Sequence, residues 1–280
     1  MKKNLKAICL ASAIGVSFFA NSFVCQASIN SVGSFGTTYT EDFDTLANTG
    51  TSSTLPAGWA ISEGGTGANT TYAAGTGSSA TGDTYSFGSA SSTDRALGGL
   101  QSGSLVPTFG VQILNNAGGT LGSLVISYTG EEWRTGGNGS GRGTALDRLD
   151  FQYSTDATSL TTGTWIDFNA LDFISPVIPG AAGALDGNAV ANRSLLSATI
   201  NGLSVGNGNS IWLRWNDFNV TGSDDGLAVD DFSVSGVAAS TPVPEPGEWG
   251  LISAFGLLGM CGVSIWRSHC AARRVALVRL

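Results

Sequence analysis

Short runs alternate apolar and polar residues along most of the chain, a period of two that marks half-buried β-strands. They fall at Ser34–Phe43, Val111–Leu114, Leu121–Tyr128, Arg148–Ser154, Trp165–Leu171, Leu195–Ile200, Ser210–Phe218 and Leu227–Val234. Leu124-Val125-Ile126-Ser127-Tyr128 and Ile211-Trp212-Leu213-Arg214-Trp215 carry the β-branched and aromatic residues that suit a pleated surface. Gly, Asn and Ser punctuate the runs, and no stretch sustains a 3.6-residue apolar stripe. The pattern predicts an all-β, jelly-roll-like sandwich. Residues 62–92 and 135–144 read as loops, the second as a flexible Gly-rich excursion. Asp94-Arg95-Ala96-Leu97-Gly98 reads as the start of an inner strand with a buried or half-buried Arg95.

The two ends break the pattern. Lys2, Lys3 and Lys6 precede an apolar stretch from Ala7 to Ala20, and small residues lead to a cleavage site after Ala27. Residues 1–27 are therefore expected to be a signal peptide; a lipid attachment at Cys25 is the weaker alternative, because Ser22-Phe23-Val24 is a poor lipobox. Residues 28–237 form the ectodomain, and 238–248 a linker whose prolines hold it extended. Residues 249–266 run without a charge between Trp249 and Trp266. At helical rise that is about 27 Å, enough for one membrane span. Residues 267–280 are a basic cytoplasmic tail led by Arg267, Arg273 and Arg274.

Composition narrows the chemistry. The ectodomain holds six arginines, no lysine and 19 of the 21 acids, which excludes a nucleic-acid partner. It has no Cys and no His, the single histidine being His269. Ser-His-Asp, Cys-His and Lys Schiff-base catalysis are excluded, as are His-ligated metals. Carboxylate-pair glycoside hydrolysis stays open. Glu131-Glu132 is the visible candidate, but neighbours on a strand face opposite ways, so one is expected in solvent and the other on Arg134 or Arg148. No catalytic residue is assigned.

Val243-Pro244-Glu245-Pro246, the apolar span and the Arg-rich end together resemble a PEP-CTERM sorting signal. The resemblance implies that an exosortase recognises Pro244, Glu245 and Pro246, removes the tail and passes the ectodomain to the cell surface or extracellular matrix. An ordinary anchor with a proline stalk is the alternative. Ala228-Val229-Asp230-Asp231-Phe232 resembles the last strand of MAM-like and carbohydrate-binding jelly rolls. There, an acid near this strand often ligates structural calcium with acids near the first strand. Glu41, Asp42, Asp44, Asp230 and Asp231 are the candidate calcium ligands, Asp42 and Asp44 sharing one strand face and only one of Asp230 and Asp231 facing inward. A solvated acidic edge that discourages edge pairing is the other reading.

Trp133 and Arg95 are the candidate sugar-binding residues; Arg95 alternatively serves a structural carboxylate. Trp212 and Trp215, three apart on one strand, are expected on opposite faces, one of them exposed or under a loop. The expected role is a non-catalytic surface or matrix protein that binds polysaccharide, with a purely structural matrix protein or a carboxylate-dependent hydrolase as alternatives.

Overall fold

A computed structural model of the chain describes residues 30–240. The expected signal peptide, the PEP motif, the span and the basic tail lie outside the described residues. Within them, no helix is long and apolar enough to cross a membrane.

The described residues form 16 strands and two single 3-10 turns, Asn169–Leu171 and Val190–Asn192. The strands are β1 (Asn30–Val32), β2 (Thr38–Glu41), β3 (Thr51–Ser52), β4 (Trp59–Gly64), β5 (Tyr72–Gly75), β6 (Asp83–Phe87), β7 (Ala96–Leu100) and β8 (Val106–Asn115). There follow β9 (Leu121–Thr135), β10 (Arg148–Ser154), β11 (Ile166–Asp167), β12 (Phe173–Ile174), β13 (Gly183–Ala184), β14 (Arg193–Ile200), β15 (Ser210–Asp217) and β16 (Gly226–Ala238).

They build two sheets. The seven-stranded sheet has the spine β8-β15-β10, with β1 and β4 on the free edge of β8 and β11 and β12 beyond β10. The nine-stranded sheet has the spine β14-β9-β16-β7, continued by β6, β5 and β3; β2 also pairs with β16, and β13 with β9. From β7 onward the long strands alternate between the sheets: β7, β9, β14 and β16 in one, β8, β10 and β15 in the other. The spatial orders 7-16-9-14 and 8-15-10 are those of two interlocked Greek keys. The expected jelly-roll sandwich is therefore written in the strand order itself.

Period-two alternation sends one set of side chains from each sheet into a shared interior. Leu124, Ile126 and Tyr128 enter from β9; Phe151 and Leu149 from β10; Ile211, Leu213 and Trp215 from β15; Leu227 and Val229 from β16. Trp215 stands at the centre. Its ring stacks on Trp59 at 5.9 Å and Phe109 at 5.8 Å, and meets Tyr128 and Phe151 edge-on at 5.2 Å each. Gly130 lies on the same inward row; a Cβ there would fall 2.2 Å from the Phe173 ring, so only glycine lets β9 pass.

Three sequence expectations change. Residues 62–92 are not a loop: they hold the end of β4 and all of β5 and β6, and Tyr72, Tyr85 and Phe87 are buried. Residues 135–144 are not a free excursion, because Arg142 is 3 % exposed and pins the segment. Ala238, assigned to the linker, still pairs with Leu121 as the last residue of β16.

Candidate functional site

The outer face of the seven-stranded sheet carries an ordered, open polar surface. Outward positions alternate with the core residues just named. Ser62, Thr108, Asn216 and Asp150 form one cross-strand row over β4, β8, β15 and β10. Ala60, Gly110, Arg214, Gln152 and Asp167 form the next. The rows are tied crosswise. Thr108 Oγ1 donates to Asn216 Oδ1 at 2.8 Å, and Arg214 Nε to Gln152 Oε1 at 2.7 Å.

Two aromatic rings flank this ladder, each under a guanidinium. Arg214 lies 3.8 Å from the centroid of Trp165, and Arg148 lies 3.9 Å from that of Phe218. Arg148 also pairs with Asp150. Arg214 is half-buried; burial pulls its pKa down and the charge of Asp167 pushes it back up. The segment 155–165 folds back over the sheet beside Trp212, with the Leu160 carbonyl accepting from Arg214. Trp212 is thus the outward tryptophan of β15 and Trp215 the inward one, as alternation requires. Every member of the ladder is at least partly exposed except Gly110. Fixed amides, hydroxyls, carboxylates and guanidinium groups between aromatic edges match the donors, acceptors and apolar faces of a sugar chain.

The residues singled out for sugar binding lie elsewhere and are closed to ligand. Trp133 is 2 % exposed on the outer side of the other sheet, stacked on Phe87 at 6.2 Å. Gly187 covers it so closely that an added Cβ would sit 2.4 Å from the ring. Arg95 is 1 % exposed, and its guanidinium donates to Ser86 Oγ at 2.9 Å, to the Gly75 carbonyl at 3.2 Å and to the Ser86 carbonyl. It is an internal staple for β5 and β6, held by carbonyls rather than by the expected carboxylate. The two corrections have different reasons: a small second core (Tyr85, Phe87, Ala96, Leu100, Trp133, Ala228) covers Trp133, whereas Arg95 lies on the opposite side of that sheet, with Ser86.

The strand carrying the first acid cluster, β2, does meet the last strand. β2 pairs antiparallel with β16, Glu41 opposite Phe232, and Glu41, Asp42 and Asp231 line one shallow cleft with Thr40 and Phe232. Asp42 and Asp44 do not share a strand face, because β2 ends at Glu41 and Phe43 turns the chain at φ 55°. Burial first, then the charge of Asp42, raises the Asp44 pKa. The Glu41 carboxylate accepts from the Tyr39 hydroxyl at 3.0 Å and the Phe43 N–H at 3.1 Å. A bulge with Asp231 at φ 48° turns Asp230 into the protein and leaves Asp231 in solvent. Among the described residues, no group of three or more acidic, His or Cys side chains is placed to hold a metal ion.

Glu131 and Glu132 point to opposite sides, but neither is solvated and neither salt-bridges an arginine. Glu131 accepts from Trp133 Nε1 at 2.9 Å, and burial raises its pKa to about 7. Asp230, on the neighbouring strand, is raised to about 8 by burial and then by the charge of Glu131. Glu132 faces the interior, at one end of a carboxylate layer that sequence reading missed. Asp225 accepts from Gly136 N at 2.6 Å and from both terminal nitrogens of Arg142. Asp147 accepts the Asp225 N–H at 2.7 Å, and Asp224 that of Val220 at 3.0 Å. Asp217 Oδ1 and Oδ2 and Glu132 Oε1 have no hydrogen-bond partner. The signal was present as spacing: each acid sits two residues from an inward position, as in Trp215-x-Asp217, Asp147-x-Leu149, Asp225-x-Leu227 and Gly130-x-Glu132.

No family model matches this chain, and no curated protein does. Solved structures with some likeness include the CBM22-1 xylan-binding domain of Xyn10C from Paenibacillus barcinonensis, 13 % identical over 74 % of this chain and 99 % of that one, TM-score 0.34. TmCBM61 in complex with β-1,4-galactotriose is 10 % identical over 64 % and 88 %, TM-score 0.32. The K2 cleaved adhesin domain of Lys-gingipain is 13 % identical over 71 % and 97 %, TM-score 0.36. The jelly-roll assignment rests on the strand order, not on these likenesses.

Proposed function

We propose that this chain is an exported, non-catalytic protein of the cell surface or extracellular matrix that binds polysaccharide through the outer face of its seven-stranded sheet. One observation carries the reading: the half-exposed ladder Ser62-Thr108-Asn216-Asp150 beside Arg214 and Gln152, bounded by Trp165 and Phe218. A hydrolase finds less support. The neighbouring acids with raised pKa, Glu131 and Asp230, are 1 % and 6 % exposed and closed to a glycosidic bond.

Glycan-array screening of the exported protein, followed by titration calorimetry on the best polysaccharide, tests the reading. Arg214→Ala and Trp165→Ala are each expected to weaken binding at least tenfold without unfolding the protein. Binding that survives both substitutions would move the site elsewhere. No binding to any polysaccharide would favour a purely structural matrix protein.

Delivery is a separate part of the proposal and rests on sequence alone. Pro244-Glu245-Pro246, the apolar stretch 249–266 and Arg267, Arg273 and Arg274 support sorting by an exosortase after a membrane-bound intermediate. Intact mass and localisation of the mature protein decide it. An unchanged mass and location after Glu245→Ala would reduce the tail to an anchor.

A further inference from the structure

The carboxylate layer occupies the inward face of both sheets at one end of the sandwich. Glu132 comes from β9, Asp217 from β15, Asp147 from the residue before β10, and Asp224 and Asp225 from the turn into β16. All five are buried, between 0 % and 6 % exposed. Arg142, from the loop after β9, is the one guanidinium bonded within this layer among the described residues. It binds Asp225, the Ser223 carbonyl at 2.6 Å and the Ala145 carbonyl at 2.9 Å, and so ties loop 136–147 to turn 218–225. Arg148, next along the chain from Asp147, spends its guanidinium outside on Asp150. The other groups facing the layer are uncharged: Gln101, whose Oε1 has no partner, Ser175, whose Oγ accepts from the Asp147 N–H at 3.0 Å, and backbone N–H groups.

Five carboxylates and one guanidinium cannot all be ionised in a dry interior. An isolated buried charge costs far more than one hydrogen bond returns, so the group binds a proton instead. Asp225 is compensated by Arg142. Asp217 is the opposite case: 2 % exposed, with neither oxygen hydrogen-bonded. A metal ion would be the other source of positive charge, but no three of these acids converge to hold one.

We propose that this layer is a proton-held latch: uncharged carboxyls at Asp217 and Glu132 let the Arg142 staple close the end of the sandwich, and their ionisation at alkaline pH releases loop 136–147 and turn 218–225. Burial, the leading cause in each case, moves the titrations into the range that matters. Glu132 is raised to about 8, Asp147 to about 7 and Asp224 to about 6, and Asp217 well above the usual carboxylate range. For acids raised by folding, the native state holds more protons than the unfolded one. Stability is fully present below the ordinary carboxylate pKa and is lost as pH climbs through about 6 to 8, up to tenfold in the folded-to-unfolded ratio per pH unit for each proton.

Hydrogen exchange of the full exported chain at pH 6 and pH 9, corrected for intrinsic rates, is the test. Protection in 136–147 and 218–225 is expected to fall at least tenfold more than in the rest of β9 and β15. Asp217→Asn, or Glu132→Gln should that variant fold poorly, is expected to abolish most of the extra loss. Asp230→Asn, which alters the separate Glu131–Asp230 pair, is expected to leave it unchanged. Equal protection at both pH values, or a loss spread evenly over both sheets, would overturn the latch. So would a loss in the wild type that 5 mM calcium reverses, because a metal would then be the counter-charge.

Discussion

Trp215 and Asp217 lie on the same strand, point into the same interior and differ by one pleat. Around Trp215 the neighbours are Trp59, Phe109, Tyr128, Phe151 and Phe232; around Asp217 they are Asp147, Asp224 and Asp225. The contrast recurs on three other strands, where Leu149, Leu227 and Gly130 stand two residues from Asp147, Asp225 and Glu132. Alternation thus sets direction and leaves chemistry free. The middle of the sandwich is held by area and ring packing, and its end by proton-dependent polar contacts around a single guanidinium.

The largest way to break the contrast is at its apolar pole. Trp215→Ala is expected to cost about 5 kcal/mol, near the upper end for removing a buried aromatic, because five other rings would line the cavity. Chemical denaturation measures it, and the cost should be the same at pH 5 and pH 8. Arg142→Ala comes next, at about 3 kcal/mol near neutral pH, because it leaves Asp225 buried without its counter-charge.

Smaller effects sharpen the boundary. Between pH 6 and 8.5 the wild type is expected to lose up to about 1.4 kcal/mol per pH unit for each layer acid that ionises. Asp217→Asn should recover about 1 kcal/mol at pH 8.5, read as a melting point about 2–4 °C higher in thermal scans. Trp165→Ala, on the open face, should change stability by less than about 0.5 kcal/mol. Its expected effect is on the proposed polysaccharide binding. Smallest of all is calcium: Glu41, Asp42 and Asp231 share a cleft, but among the described residues no three acids are placed as a metal-binding group, so melting curves in calcium and in chelator are expected to coincide. A calcium-dependent rise that Asp42→Asn removes would restore the cation site at the β2–β16 edge.

Much of the fold was legible in the sequence. Arg148–Ser154 is β10 residue for residue, and the runs at 195–200, 210–218 and 227–234 lie in or against β14, β15 and β16. β5 and β6 were hidden because small residues dominate them and their burial comes from a covering layer over the sheet's outer side. The same layer hid the fate of Trp133, and the Ser86 side of β6 that of Arg95; both residue types are equally at home on a sugar or inside a core. The pairing of β2 with β16 followed from the fold class, but the turn at Phe43 and the bulge at Asp231 did not, since both depend on single backbone angles. The acidic layer escaped because its five acids come together from four segments far apart in the chain: β9, the residue before β10, β15 and the turn into β16.

β16 is bonded along both edges, to β9 for most of its length and to β7 and then β2 on the other side. The pairing continues past its end, where the Ala239 N–H meets the Thr120 carbonyl at 2.8 Å. A pull applied at residue 240 therefore enters the molecule along the axis of a central strand. Ladder hydrogen bonds lie across that axis, so the pull loads many of them together in shear instead of peeling them one at a time. The strand that closes the jelly roll is also its mechanical root, and tension from the C-terminal side meets the strongest direction of the sheet first.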